Sequence, residues 1–439
     1  STPIYSHFYL SYTMNLKLRL IIMNFLQFAV WGTYLTSMSR YLGPAGMGEH
    51  IGLFYSVQGL VSIFMPTLFG ILADRYVPAQ RMLALCHLAS GLFMAAAGAY
   101  GLSAGPSVAF GTFFALYTLG VAFYMPTLAL SYSVAYSLLE QGGYDTVRDF
   151  PPIRIFGTIG FICSMWAVDL TGFQTSAMQF VICGALGTLL AHYAFTLPNI
   201  PVSRDVERKS FVEALGLNAF RLFRKRQMAV FFIFSMMLGV SLQITNGFAN
   251  PFIASFESVA EYADTFGVQH ANILISLSQV SETLCILLIP FFLRRYGIKT
   301  VVLIAMVAWI LRFALFGIGN PGGGVWLLVL SMIVYGVAFD FFNISGSLFV
   351  DRETDPSIRS SAQALFFLMT SGVGATVGTL GAQVVVNAFC QWTDVETAGG
   401  MKSLLVGDWP TVWYLFAGYS LLVTVFFAIL FPYKHKREG

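Results

Sequence analysis

About twelve apolar stretches, each close to 20 residues long, follow one another through almost the whole of this 439-residue chain. A helix needs about 20 apolar residues to cross the roughly 30 Å hydrocarbon core of a bilayer. The stretches lie near residues 17–40, 49–73, 81–103, 107–139, 151–172, 175–197, 226–254, 268–293, 299–318, 325–350, 359–389 and 410–432. Only 10% of the residues are charged, against about 25% in an average soluble domain. The pattern predicts an all-α polytopic membrane protein with 12 transmembrane helices.

Basic residues are concentrated in alternate loops. If the N-terminus is cytoplasmic, 20 of the 24 Lys and Arg lie in inside segments, whereas Arg40 and Lys402 lie outside and Arg154 and Arg312 lie within spans. Loops that stay in the cytoplasm are enriched in Lys and Arg. Both termini are therefore predicted to be cytoplasmic.

One long charged segment, residues 198–226, divides the spans into two groups of six. We expect an N-terminal bundle over residues 14–198, a cytoplasmic linker over 199–225 and a C-terminal bundle over 226–439. Residues 1–13 precede Met14 and are expected to be upstream residues outside the fold. Within the linker, residues 210–226 are read equally well as an amphipathic helix on the inner leaflet and as a solvated connection.

Residues 70–81, "GILADRYVPAQR", form the loop after the second span. This loop resembles the signature of the major facilitator superfamily. Gly70 is expected to permit a close helix approach, and Asp74, next to Arg75, to pair with arginines or cap a helix. Together with two six-helix halves, the resemblance implies a transporter whose site lies at mid-membrane between the halves.

Polar side chains recur at helical spacing inside several spans. We expect such side chains to face protein or a water-filled cavity, since lipid cannot satisfy them. The stripes are Ser235, Gly239, Gln243, Asn246 and Asn250 on one continuous seventh helix, Asn272, Ser276, Gln279 and Glu282 on the eighth, and Arg154, Thr158 and Phe161 on the fifth. They favour a substrate cavity, whereas the weaker polar residues of the first and fourth spans favour hydrogen bonds between helices.

The tenth span combines an aromatic stripe with a polar one. Tyr335 and Phe339 lie on the first, and Asp340 lies about 100° around the helix axis on the second. Arg312, in the ninth span, has two equally favoured interpretations, a structural ion pair with Asp340 or Glu282 and a functional role. Amides, carboxylates and aromatic rings suit a small polar solute with a planar part, and both a nucleoside and a sugar fit.

Five stretches are similar to the bacterial nucleoside permeases of the nucleoside:proton symporter family. They are "DFPPIRIFGTIGF" (149–161), "FFIFSMMLGVSLQITN" (231–246), "SLSQVSETL" (276–284), "VAWILRFALF" (307–316) and "YGVAFDFFNISGS" (335–347). The resemblance runs from Met14 to about Lys436. It implies proton-driven nucleoside uptake across the bacterial cytoplasmic (inner) membrane. A proton-coupled sugar or other metabolite permease is the alternative, and sodium coupling or a non-transporting receptor are weaker ones.

The resemblance also implies a set of site residues. The expected nucleoside contacts are Arg154, Thr158, Phe161, Gln243, Asn246, Gln279, Glu282, Tyr335 and Phe339, and Asp340 matches an acid important for transport. We assign proton coupling mainly to Asp340 and binding of substrate hydroxyls mainly to Glu282, with the reverse assignment open. Expected partners are a nucleoside, a proton and the lipid bilayer, with no nucleic acid, cofactor or metal, and the superfamily analogy favours a monomer. The scattered five cysteines and six histidines show no metal-ligand or catalytic spacing, so we do not expect an enzyme.

Overall fold

The computed structural model describes residues 4–202, 210–355 and 358–435, without the side chains of residues 4–14, 74, 359 and 360. Most of these residues are helical. The helices are α1 (Ile4–Gly32), α2 (Met38–Leu42), α3 (Ile51–Arg75), α4 (Ala79–Ala104), α5 (Phe110–Gln141), α6 (Thr146–Leu170), α7 (Met178–Phe195), α8 (Phe211–Ala214), α9 (Arg226–Gly239), α10 (Ile244–Ser255), α11 (Phe266–Gln269), α12 (Ala271–Ile275), α13 (Leu277–Cys285), α14 (Ile289–Ile318), α15 (Val325–Glu353), α16 (Arg359–Phe367), α17 (Ala375–Phe389) and α18 (Trp409–Leu430).

Ten helical runs in the described residues are long and apolar enough to cross a membrane. One run, Ala271–Ile318, has 48 residues, which span about 72 Å at 1.5 Å per residue, or more than two bilayer cores. The chain turns within this run at Gly297, whose φ of 81° is not helical, so the run supplies two crossings. α1, which holds Lys17 and Arg19, is not among these ten runs, and it supplies the twelfth crossing.

One compact unit comprises Ser1–Leu35 and Phe64–Arg208. In it, α4 packs against α5 and α7, and α1 packs against α6. Glycines permit these contacts. An added Cβ at Gly184 would lie 2.5 Å from the carbonyl oxygen of Gly91, and one at Gly160 would lie 2.2 Å from that of Phe25. Small residues let membrane helices approach until their backbones touch, and here they hold α6 in place beside α1.

The other compact unit comprises Thr36–Ile63 and Lys209–Gly439. Residues 36–63 group with later helices because their contacts are with those helices. The backbone N–H of Gly52 donates to Gln383 Oε1 at 2.7 Å, and an added Cβ at Gly52 would lie 2.5 Å from the Thr379 carbonyl oxygen. The boundaries predicted at residues 198 and 226 divide the chain by position in the sequence, whereas the two units are defined by contacts. The predicted boundaries therefore stay a prediction.

A β-hairpin that was not predicted follows α17. Strand β1 (Cys390–Thr397) pairs antiparallel with β2 (Gly400–Gly407), and Thr397 opposes Gly400. The connection is therefore a two-residue turn, Ala398–Gly399, and Gly400 adopts φ +99°. A glycine pair is a hairpin signal, and Gly399–Gly400 was present in the sequence.

The hairpin is attached to its own unit at two places. The Trp392 ring covers a glycine-rich turn, where an added Cβ at Gly43 or Gly48 would come within 2.3 Å of it. The Lys402 ammonium lies 2.7 Å from a carboxylate oxygen of Glu257. The hairpin therefore packs as a fixed part of this unit.

Residues 210–226 do not form the single amphipathic helix that was one of the two structures expected for them, and the solvated connection stays a prediction. α8 has a single turn, capped by Ser210, whose hydroxyl accepts from the Glu213 N–H at 3.2 Å. A 3₁₀ segment, Leu217–Arg224, follows Gly216, which adopts φ +78°. The change of conformation at Gly216 prevents one continuous amphipathic helix. Residues 203–209 of the predicted linker lie outside the described part of the chain.

Candidate functional site

The predicted seventh span is interrupted at the level of its polar residues. α9 ends at Gly239 and α10 begins at Ile244, so the prediction of one continuous polar stripe is wrong. α9 approaches another helix closely where it ends, since an added Cβ at Gly239 would lie 2.3 Å from the Thr370 carbonyl oxygen. At the interruption Asn246 donates to Gln243 Oε1 at 2.7 Å. This bond leaves the Gln243 amide hydrogens and the Asn246 carbonyl oxygen able to bind a solute.

In the predicted eighth span, α12 and α13 meet at Ser276, which keeps a helical backbone conformation with φ −60° and ψ −19°. On α12, Asn272 is fully buried and accepts from Thr36 Oγ1 at 2.7 Å and from Asn250 Nδ2 at 3.3 Å. Asn250 and Asn272 therefore serve packing within the unit. On α13, the Gln279 side-chain oxygen is buried without a hydrogen-bond partner among the described residues. Such an oxygen needs a partner, and a bound solute can supply one.

α15 brings aromatic rings and an acid together, on neighbouring stripes as predicted. The Tyr335 and Phe339 rings stack with centroids 5.6 Å apart and planes at 21°. Asp340 is 4% exposed, and its Oδ2 has no hydrogen-bond partner in the described part of the chain. The half-buried Glu282 on α13 is close enough for the two charges to interact.

Arg312 does not make the ion pair that was one of its two interpretations. Within the described residues its guanidinium forms no salt bridge. Nη2 donates to Thr245 Oγ1 at 3.0 Å, and Nη1 donates to the Ser331 carbonyl oxygen at 3.0 Å. The guanidinium carbon lies 4.5 Å from the centre of the Tyr335 ring. Arg312 therefore bridges α10 and α15.

In the other unit, α6 positions Arg154, Thr158 and Phe161. Arg154 Nε donates to the Tyr132 hydroxyl at 2.7 Å, and Nη1 lies 3.4 Å from Thr158 Oγ1. The guanidinium carbon also lies 3.9 Å from the centre of the Phe28 ring. The half-buried guanidinium is thus held in one orientation by α1 and α5, with donors remaining for a solute.

The polar residues of the first and fourth spans bond to each other. Gln27 Nε2 donates to Thr127 Oγ1 at 2.8 Å, and the Gln27 side-chain oxygen lies 2.6 Å from His87 Nε2. The Tyr124 hydroxyl donates to the Gln27 backbone carbonyl at 2.7 Å. The prediction that these spans carry hydrogen bonds between helices is confirmed for Gln27 and Thr127. An amide oxygen only accepts, so His87 Nε2 is the donor of its bond.

Residues 70–81, which resemble the superfamily loop signature, do not have the close helix contact that was expected at Gly70. An added Cβ at Gly70 would meet no heavy atom of the described chain within 4 Å, so the close helix approach predicted there is wrong for this structure. α3 continues through Gly70 to Arg75 and ends there. The Asp74 side chain, whose pairing or capping was predicted, lies outside the described residues.

Three residues around the site were not singled out from the sequence. Tyr132 and Phe28 orient Arg154, and Thr245 binds Arg312. Each is an ordinary residue of an apolar stretch, 22 to 126 positions from the arginine that it contacts. Helical periodicity identifies residues that share a face of one helix, and it does not indicate which face of another helix lies opposite.

Comparison with known proteins distinguishes between the two substrates left open by the sequence, a nucleoside and a sugar. A family model described as "Nucleoside H+ symporter" matches residues 14–436. The nucleoside permease NupG of Escherichia coli (strain K12) is 49% identical over 429 residues, which cover 97% of this chain and 98% of NupG. The chain belongs to the nucleoside H+ symporter family.

A further relative and a solved structure are also similar over nearly the whole chain. The xanthosine permease of Escherichia coli (strain K12) is 47% identical over 430 residues, with 97% of this chain and 98% of the permease covered. The crystal structure of the nucleoside transporter NupG superimposes with a TM-score of 0.85 at 48% identity, covering 96% of this chain and 100% of that chain.

Membership of the nucleoside H+ symporter family confirms the predictions of function and of fold. The chain is a membrane transporter, and its function is proton-coupled nucleoside uptake. Its fold is the all-α major facilitator fold with 12 transmembrane helices, as predicted, and the hairpin is an addition outside the spans. The family assignment does not show which residues of this member bind the nucleoside or carry the proton.

Proposed function

We propose that the nucleoside and the proton of this symporter bind to separate groups of side chains. The nucleoside contacts are Arg154, Thr158, Phe161, Gln243, Asn246, Gln279, Glu282, Tyr335 and Phe339. The proton carrier is Asp340. The observation that carries the proposal is the buried Asp340 carboxyl beside a half-buried Glu282, on the helix that also holds the stacked Tyr335 and Phe339 rings.

The aromatic and amide groups divide the recognition of a nucleoside between them. Tyr335 and Phe339 offer ring faces on which a planar base stacks, a contact worth about 0.5–1.5 kcal/mol beyond area burial for an aromatic pair. Gln243, Asn246 and Gln279 offer amide donors and acceptors for base edges or ribose hydroxyls. The Glu282 carboxylate accepts two hydrogen bonds from vicinal hydroxyls, and Arg154 donates to carbonyl oxygens.

Asp340 carries the proton because its surroundings favour the neutral acid. A buried carboxylate without a cation or hydrogen-bond donors loses its hydration and gains nothing in exchange. A second carboxyl group nearby, that of Glu282, makes a negative charge on Asp340 still less favourable whenever it is itself ionised. Protonation from the outside then permits conversion to the inward-open state, and access to the cytoplasm lets the acid ionise and the nucleoside leave.

The transporter works by alternating access in the bacterial inner membrane, with both termini in the cytoplasm and as a monomer. The positive-inside distribution of Lys and Arg supports this orientation. The last turns of α3, with Gly70, Asp74 and Arg75, and the loop that follows them change their contacts between states. No chemical conversion of the nucleoside accompanies transport.

Asp340→Asn tests the assignment of the proton. An amide mimics the neutral acid but takes up no transport proton. Purified protein in liposomes should therefore lose concentrative uptake of labelled uridine under an inward proton gradient. Exchange of labelled for unlabelled uridine, which needs no net proton movement, should persist.

Glu282→Gln is the matched variant, and it should instead raise the KM for uridine. Concentrative, uncoupler-sensitive uptake by Asp340→Asn at the parent rate would refute the role of Asp340. A panel of nucleosides, including xanthosine, would establish which bases this member accepts, with ribose as the competitor that should not inhibit.

A further inference from the structure

Arg312 is a fully buried cation near the middle of a membrane-spanning helix. Its side chain is 2% exposed, and the described residues form no ion pair with it. A charged side chain inside the bilayer is costly and persists where it serves a function. The contacts that compensate this charge therefore indicate what it does.

Both hydrogen-bond acceptors of its guanidinium nitrogens, and one of the two rings near it, lie on helices that carry proposed nucleoside contacts. The Thr245 hydroxyl, which binds Nη2 at 3.0 Å, belongs to the first turn of α10, directly before Asn246. The Ser331 carbonyl, which binds Nη1 at 3.0 Å, lies one turn before Tyr335 on α15. The same guanidinium lies 4.5 Å from the centre of the Tyr335 ring.

We infer that Arg312 is a positioning residue for nucleoside binding, which fixes the Tyr335 ring and the first turn of α10 relative to each other. The inference rests on the proposed roles of Tyr335 and Asn246. Arg312 itself need not touch the nucleoside.

The interruption before α10 explains why an anchor is needed. The first turn of a helix has backbone N–H groups without helical partners, and no continuous helix from α9 holds it in place. The hydrogen bond from Arg312 to Thr245 fixes this turn, and with it Asn246 and its bond to Gln243.

The chemistry of the side chain explains why the anchor is an arginine. A guanidinium is planar and presents several donors in a fixed geometry, so it binds two acceptors while its face covers an aromatic ring. The second ring near the guanidinium, Phe316, lies 5.0 Å from it. A lysine ammonium would keep the charge but would not hold Thr245, the Ser331 carbonyl and the Tyr335 face at the same time.

The test measures the KM and the maximal rate of uridine uptake by Arg312→Lys, Arg312→Met and Thr245→Val. The maximal rate is normalised to the amount of folded protein recovered by size exclusion. We expect the arginine variants to raise KM about tenfold, the size of effect that a desolvated cation–π contact or a charged hydrogen bond has on binding. Thr245→Val should raise KM less. Uptake should stay uncoupler-sensitive in every variant that folds, because Asp340 is unchanged.

Two controls separate the possible failures. Thr424→Val makes the same change at a buried threonine that bonds only within α18, and it should leave KM unchanged. Tyr335→Leu should raise KM at least as much as Arg312→Met. If Tyr335→Leu raises KM but Thr245→Val and the folded arginine variants stay within twofold of the parent, Arg312 is a structural charge only. If Tyr335→Leu also leaves KM unchanged, the proposed site is wrong instead. Thr245→Val keeps the arginine, so it decides the question even where both arginine variants fail to fold.

Discussion

Replacing Tyr132 by Phe tests whether the orientation of Arg154 controls nucleoside binding. The change removes one oxygen, the acceptor that lies 2.7 Å from Arg154 Nε. The ring stays, and with it the packing against Phe150, whose centroid is 5.4 Å away. Arg154 keeps its contacts with Thr158 and with the Phe28 ring.

The magnitude follows from the burial of the lost bond. A hydrogen bond to a charged group contributes about 1.5–3 kcal/mol when it is buried. Arg154 is half-buried, so water replaces part of that bond, and we take about 1 kcal/mol as the remaining cost. Since 1.4 kcal/mol corresponds to a tenfold change in an equilibrium constant, the KM for uridine should rise about fivefold. The maximal rate should change little, because the proton-carrying residue lies elsewhere.

The assay is initial uptake of labelled uridine into liposomes over a range of concentrations, at a fixed pH gradient. Tyr136→Phe is the matched control, since Tyr136 lies one turn further along α5, is 41% exposed and stacks only on neighbouring rings. An unchanged KM for Tyr132→Phe, or an equal rise for both variants, would refute the role given to the Tyr132–Arg154 bond.

Two further predictions concern stability. Gly378→Ala would place a Cβ 1.9 Å from the Val240 carbonyl oxygen, so we expect the free energy of unfolding to fall by about 1–3 kcal/mol from overpacking. The control Gly381→Ala, whose Cβ meets no atom within 4 Å, should leave the thermal midpoint in detergent unchanged. Equal midpoints for the two variants would contradict this packing. Lys402→Gln should lower the same thermal midpoint because it leaves the buried Glu257 carboxylate without its cation. Adding Glu257→Gln to that variant should restore part of the loss. No restoration would mean that the ion pair does not stabilise the hairpin.

Much of the fold could be predicted because the bilayer imposes simple rules on a sequence. The length of each apolar stretch corresponds to one crossing, and the division of Lys and Arg between alternate loops predicts an orientation. The hairpin was missed because it lies outside the spans, where these rules do not apply. Its signal was the Gly399–Gly400 pair at the turn.

The candidate site could be predicted in part. Periodicity separated Asp340 from the stripe of Tyr335 and Phe339, and the structure has the same separation. Periodicity failed for the seventh span, where the polar stripe was assumed to follow one straight helix. It also left the partner of Arg312 open, because both carboxylates were plausible by residue type.

The sequence by itself determined the class of the protein, the number of its spans and its family, since these depend on local apolar length and on long matching stretches. The tertiary structure decided where the helices are interrupted, which later helices bind residues 36–63, and that Arg312 contacts Thr245 and Tyr335. The physical reason is the range of the interactions. Apolar length and periodicity are properties of one segment. The approach of Gly239 to Thr370 and the acceptors around Arg312 depend on helices far apart in the chain, and only folding brings these together.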